Sequence, residues 1–157
     1  FRDGVKVITY DYERNWPQAK TLNMLGSYLA MREANKTDCY DALLRDRHGN
    51  LTEGTRTNLF AVKDGQLITP PSSEVLEGVT RMLVLHVAKE QGITIIEDHI
   101  ASNKLNEFDG LFLTSTSSKI MPSRQVDETA FAIPELTKKL QKSFDAFLEE
   151  SSGTLAT

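Results

Sequence analysis

The chain has 157 residues, 39% of them hydrophobic and 25% charged, with a formal net charge of −4. That is about one domain, able to bury roughly two-thirds of its unfolded surface, and the balance excludes a disordered chain. No apolar run reaches the ~20 residues of a membrane helix, and the acidic balance argues against general affinity for nucleic acid or anionic lipid.

The opening residues, Phe1 to Val7, carry no initiator Met and no leader, and read as the interior of a longer protein. Val5 to Tyr12 alternates in part between apolar and polar residues, which predicts a strand. Asn15-Trp16-Pro17 ends it, because proline cannot continue a ladder and restricts the residue before it. Thr21 to Asn35 then turns helical, with Leu22, Leu25, Tyr28 and Leu29 as an apolar stripe and Gly26, Ala30 and Ala34 permitting close approach nearby. Lys20 is thereby expected at a helix N-terminus, where the dipole disfavours a cation by a few tenths to ~1 kcal/mol. A lysine pushed toward its neutral amine is what Schiff-base chemistry requires. A solvated surface lysine is the ordinary alternative.

Cys39 to Asp46 predicts a second strand, entering a turn at His48-Gly49-Asn50. Leu51 to Phe60 follows as Leu-Thr-Glu-Gly-Thr-Arg-Thr-Asn-Leu-Phe, with Glu53 expected on a short turn made flexible by Gly54. A carboxylate held there between two strands can serve a buried site, or be an ordinary exposed turn residue. Asn58 to Lys63 predicts a third strand, and Asp64-Gly65 a hairpin into Gln66-Leu67-Ile68-Thr69, ended by Pro70-Pro71. Leu76 to Arg81 opens a helix running to about Gln91, with Leu83, Val84, Val87 and Ala88 as its apolar face and Gly92 as its stop. Gly78 ahead of it leaves backbone N–H groups at a positive dipole end, which suits an anion and phosphate above all, or marks an ordinary capped helix.

Ile93 to Glu97 predicts a short strand, Asn103 to Glu107 a helical turn, and Gly110 to Leu113 a buried strand. That strand runs into Thr114-Ser115-Thr116-Ser117-Ser118, whose hydroxyls and backbone N–H groups can cradle a phosphate or form a plain polar loop. Ile120-Met121-Pro122 is expected to close the loop. Pro134 starts a last amphipathic helix carrying Leu136, Leu140, Phe144, Phe147 and Leu148, and residues 151–157 are expected as a frayed polar tail. A single cysteine, Cys39, forms no internal disulfide and suits a reducing cytoplasm. His48, His86 and His99 are too scattered for a zinc site.

Four separated features therefore converge on one kind of ligand: a lysine, a carboxylate, a glycine-led helix start and a hydroxyl-rich loop. Pyridoxal 5′-phosphate (PLP) carries an aldehyde, a ring nitrogen and a phosphate that use them all. In the segments 19–25 (Ala-Lys-Thr-Leu-Asn-Met-Leu), 51–60, 76–81 (Leu-Glu-Gly-Val-Thr-Arg) and 112–122 (Phe-Leu-Thr-Ser-Thr-Ser-Ser-Lys-Ile-Met-Pro), taken in that order, the chain resembles the fold-type IV, or class IV, PLP-dependent aminotransferases. The resemblance runs from about Val5 to Asp127.

It implies an α/β (α+β) fold with a mixed, barrel-like sheet flanked by helices, here as the larger C-terminal domain over 1–150. The family's smaller N-terminal domain is expected to be missing from this chain, and the complete protein to be a homodimer. By the same resemblance Lys20 is the lysine that joins PLP, Glu53 partners the pyridine nitrogen, and Val79, Thr80, Ser115 and Thr116 bind the phosphate. The implied activity is transfer of an amino group between an amino acid, D or branched-chain L, and a 2-oxo acid. Met24 where branched-chain enzymes carry a tyrosine, together with Cys39-Tyr40 and Thr114-Ser115-Thr116, leans toward the D-amino-acid side. Arg56 fits neither familiar version of the Glu53 turn and is read as a carboxylate ligand for substrate or as an exposed arginine. An aminodeoxychorismate lyase, or a non-catalytic domain kept for dimerisation or binding, are the alternatives.

Overall fold

The computed structural model describes residues 3–154, so Phe1, Arg2 and the 155–157 end of the expected tail lie outside it. Ten strands form the sheet: β1 (Val5–Asp11), β2 (Asp41–Arg45), β3 (Asn50–Gly54), β4 (Asn58–Lys63), β5 (Gln66–Thr69), β6 (Ile95–Glu97), β7 (Ile100–Ala101), β8 (Gly110–Ser115), β9 (Lys119–Val126) and β10 (Thr129–Ala130). Three α-helices accompany them: α1 (Leu25–Lys36), α2 (Val79–Glu90) and α3 (Glu135–Thr154). A 3-10 turn sits at Ser72–Glu74, and a 3-10 segment kinked at Lys104 at Ser102–Glu107.

The strand order β4-β8-β9-β1-β2-β3, with β3 paired back to β4, closes six strands into a barrel. β1 runs parallel to β2 and β9, and the other barrel pairs are antiparallel, so the sheet is mixed. Val7, Leu43, Leu51, Leu59, Leu113 and Met121, drawn from all six barrel strands, fill one buried cluster. A second cluster lies under α2 and α3, where Phe60 and Phe112 stack with ring centroids 4.9 Å apart. Asp64 and Gly65 both take positive φ, 51° and 73°, as the two central residues of a type I′ hairpin require. No helix among the described residues is long and apolar enough to cross a membrane.

Three expectations change. The first helix begins at Leu25 rather than Thr21, and it buries its small face. Ala30 and Ala34 pack on Ala42 and Leu44 of β2, and Gly26 meets the Tyr12 ring where a Cβ has no room. Leu22, Leu25 and Tyr28 face outward, Leu22 at 99% exposure. Small residues let the helix backbone approach a sheet that is already filled on its inner side. The second change is β9: the segment around Ile120-Met121-Pro122 is not a loop closure but the start of an eight-residue strand. Pairing to β1 begins at Ser123, one residue beyond Pro122, so the proline stands before that ladder starts. Finally, α3 continues through Ser151 to Thr154, where a frayed tail was expected.

Candidate active site

A cavity of about 390 Å³ opens beside the β3–β4 turn, between the segment preceding α1 and the start of α2. Its wall includes Lys20, Glu53, Arg56, Val79, Thr80, Ser115 and Thr116, so all seven residues singled out from the sequence line one space. The barrel register explains part of this. Glu53 on β3 stands opposite Asn58 on β4, and Asn58 opposite Thr114 on β8, which puts a carboxyl, an amide and a hydroxyl in one cross-strand row.

Glu53 is not on a turn. It is the fourth residue of β3 and only 3% exposed; the turn proper is Thr55 to Thr57. Arg14 Nε lies 3.3 Å from Glu53 Oε1, and the Leu76 N–H donates to Oε2 at 3.4 Å. Burial nevertheless dominates and lifts the Glu53 pKa to about 7, against the opposing pull of Arg14 and the Leu76 amide and with a small push from Asp41. A carboxyl in this state is poised to take a cation or a strong N–H donor from a ligand. Nothing local in the sequence marks Arg14: it sits in the loop after β1 and reaches Glu53 only in the fold.

The α2 start forms a second pole. Gly78 takes extended φ and ψ and offers no side-chain cap, which leaves the first-turn amides beginning at Val79 and Thr80 open at the positive helix end. Asn58 fixes this segment. Its Nδ2 donates to the Leu76 carbonyl at 2.7 Å, and its Oδ1 occupies the space a Cβ on Gly78 would need. Thr114, 2% exposed, contributes to the same cavity wall, and its buried hydroxyl has no hydrogen-bond partner among the described residues. In the loop beyond it, Ser115 Oγ accepts the Ser118 N–H at 3.1 Å, and Ser118 Oγ shares a 2.8 Å hydrogen bond with Tyr40. Ser115 thus shapes the turn as well as lining the cavity.

Lys20 lies in the loop between β1 and α1, exposed and five residues before Leu25. The helix-start argument for it therefore fails, since a terminal dipole acts within its own first turn. What brings Lys20 to the cavity is the compact loop around Pro17, in which Trp16 takes φ 56° and the Ala19 N–H donates to the Trp16 carbonyl at 2.9 Å. Arg56 is exposed between the buried Thr55 and Thr57. The assembled groups are an amine, a buried carboxyl of raised pKa, an uncapped helix start and a buried hydroxyl without a partner among the described residues. They can bind a phosphorylated, electrophilic, nitrogen-bearing ligand.

The class IV aminotransferase family model matches residues 4–126. A Methanocaldococcus jannaschii protein provisionally named a branched-chain-amino-acid aminotransferase is 38% identical over 152 residues, 90% of this chain and 52% of that protein. The D-alanine aminotransferase of Bacillus licheniformis is 30% identical over 161 residues, covering 98% of this chain and 56% of that one. The Escherichia coli branched-chain amino acid aminotransferase superposes with a TM-score of 0.84 at 31% identity, over 92% of this chain and 52% of that chain. The chain spans about half the length of the curated relatives it matches. On the family match, the identities and the shared closed barrel, this chain belongs to the class IV aminotransferases.

Proposed function

We propose that this chain is the PLP-binding part of a transaminase that moves an amino group between an amino acid, D or branched-chain L, and a 2-oxo acid. The observation that carries the reading is that a lysine, a buried carboxyl, an uncapped helix start and a hydroxyl loop meet on one cavity wall. The residues fit the cofactor. The uncapped α2 start lines a space of about 390 Å³, within the usual range for small-molecule sites, and the buried Thr114 hydroxyl in the same wall has no partner among the described residues. When bound, PLP supplies an electron sink for the substrate Cα.

The protein groups divide the work. The Val79 and Thr80 amides, with Ser115 and Thr116, hold the phosphate and so set the cofactor's place. Glu53 accepts the N–H of the ring nitrogen. A cation at that point would offset the burial that raises the Glu53 pKa, and Glu53 would then favour the protonated ring. Arg14, paired with Glu53, keeps the carboxyl oriented. Lys20 Nζ would hold the cofactor through its aldehyde and would serve as general base and acid at the reacting carbon. Arg56 takes the substrate carboxylate. We infer that the complete protein is a cytoplasmic homodimer with a smaller N-terminal domain over the site. Met24 and Val79, exposed apolar residues on the cavity wall, and the exposed Leu22 beside them support such a cover.

The test is borohydride reduction of the full-length protein after PLP addition, followed by peptide mapping. Label concentrated on Lys20, with amino transfer from D-alanine or L-leucine to 2-oxoglutarate, is the expected result, and the preferred donor assigns the stereochemistry. Label scattered over surface lysines would overturn the assignment of Lys20. Covalent loading on Lys20 without dependence on a 2-oxo acid would overturn the transaminase in favour of a lyase.

A further inference from the structure

Asp41 is absent from the cavity wall and fully buried at 0% exposure, on β2. A buried carboxyl of this kind survives only where its oxygens are fully engaged. Its Oδ1 accepts the Ala42 N–H at 2.8 Å, the Thr55 N–H at 3.0 Å and the Thr55 hydroxyl at 2.6 Å. Its Oδ2 accepts the Thr57 hydroxyl at 2.8 Å. Three of the four donors thus belong to the turn after Glu53. Gly54, directly beside the carboxyl, has no room for a Cβ, which would collide with Asp41 Oδ2 and Thr57 Oγ1. The Gly54 N–H closes the turn onto the Thr57 carbonyl at 2.8 Å. Arg14 Nη2 adds a further tie through the Thr55 carbonyl at 3.3 Å.

The consequence concerns Arg56. Its two neighbours are drawn inward to Asp41, and of the three turn residues, all of which line the cavity, only Arg56 is exposed. We propose that Asp41 is a positioning residue: by clamping Thr55 and Thr57 it fixes the Arg56 backbone so that the guanidinium is presented to the carboxylate of the amino-acid substrate. This rests on the transaminase reading above. An arginine clamp needs a rigid base, because a guanidinium on a long side chain loses selectivity when its backbone also moves. Asp41 thereby provides by hydrogen bonding what the strands cannot, since the turn has left the sheet.

The test compares Asp41→Asn, Asp41→Ala and Arg56→Ala in the full-length PLP-loaded protein. Asparagine keeps an oxygen for the Ala42 and Thr55 donors and offers an NH₂ to the Thr57 hydroxyl, so it preserves the clamp without the charge. Asp41→Ala is expected to raise KM for the amino donor about tenfold or more, on the loss of several buried hydrogen bonds, while PLP affinity from an absorbance titration changes less than about threefold. Asp41→Asn stays within about threefold of the parent KM, and adding Arg56→Ala to Asp41→Ala raises KM little further. Independent, multiplying effects of the two alanine variants would overturn the proposal, as would a parent-like KM in Asp41→Ala.

A readout independent of turnover is amide exchange over residues 54–58, expected to accelerate in Asp41→Ala and to remain slow in Asp41→Asn. Unchanged exchange overturns the clamp even if the protein proves not to be a transaminase, whereas accelerated exchange without amino transfer sinks only the functional reading. Should Asp41→Ala not fold, Thr57→Val, which removes the single Oδ2 bond, carries the test with a KM rise of roughly threefold.

Discussion

Glu53 illustrates how one side chain can hold two opposed influences. Arg14 at 3.3 Å favours its charged form, yet removal from water outweighs the ion pair and raises its pKa from the usual 4.5 to about 7. The folded chain therefore holds a proton that the unfolded chain releases between those values. Stability from this group is fully present below about 4.5 and is lost as pH rises through about 7. The size is on the order of 3 kcal/mol, since each pH unit separating the two values is worth ~1.4 kcal/mol. Glu53→Gln keeps the shape and does not titrate, so the ligand-free variant should outlast the parent in urea at pH 8 and match it near pH 4.5. A parent and variant that lose stability equally between those pH values would show that another group is responsible. Glu53 itself was legible in its motif, but its burial was not. The glycine that follows it suggests a turn, and the pairing of Glu53 to Asn58 and of Gly54 to Leu43 keeps it in the strand. Arg14 and Asp41 were not legible at all, because each acts across the fold on residues far from it in sequence.

Among the elements, α2 shows how a cavity wall is tethered. Arg81 lies in its first turn, where the helix dipole opposes a cation, and is only 1% exposed. Its Nη2 donates to the Pro70 carbonyl at 3.2 Å just past β5, and Glu77 and Glu97 carboxylates stand 3.8 and 3.7 Å away. The arginine thus ties the cavity-lining end of the helix to the sheet. Arg81→Ala, which leaves a void and an unpaired carbonyl, should lower stability by roughly 2–4 kcal/mol. Arg81→Met, refilling most of the volume, should recover part of that, as urea midpoints would reveal; an alanine variant within ~0.5 kcal/mol of the parent would contradict the tether. Element by element, α2, β4 and the Asp64-Gly65 hairpin follow their sequence patterns closely, because each carries a strong local signal of its own. The α1 face and β9 do not. The bulky stripe of Leu22, Leu25 and Tyr28 reads as core by hydrophobicity, while Ala30 and Ala34 won the buried side through backbone proximity. Pro122 reads as a strand breaker, and its tolerance depends on where the β1 ladder begins.

At the scale of the whole molecule, the barrel closes only if β1 meets β9, and one residue just past the β9 ladder reinforces that seam. Asp127 follows β9 directly, and its carboxyl accepts the Thr9 N–H and the Thr9 hydroxyl, each at 2.7 Å, across 118 residues of sequence. Its own N–H donates to the Val7 carbonyl at 3.0 Å, and its φ of 48° lies in the left-handed region that aspartate and asparagine tolerate better than most. Asp127→Ala removes two hydrogen bonds and adds backbone strain, a loss of about 2 kcal/mol if each exposed bond is worth ~0.5–1. Asp127→Asn keeps the backbone preference and one oxygen, so its loss should be about half as large. Because closure gathers residues from all six barrel strands into one core, the chain should unfold as a unit. Helix loss by far-UV circular dichroism and loss of amide protection in β1 and β8 should move to lower urea together in both variants. If the helical signal kept its midpoint while strand protection shifted, the α2–α3 layer would be stable without a closed barrel, and the seam would matter only locally. Coincident shifts would make barrel closure the cooperative event on which the cavity at the β3–β4 turn depends.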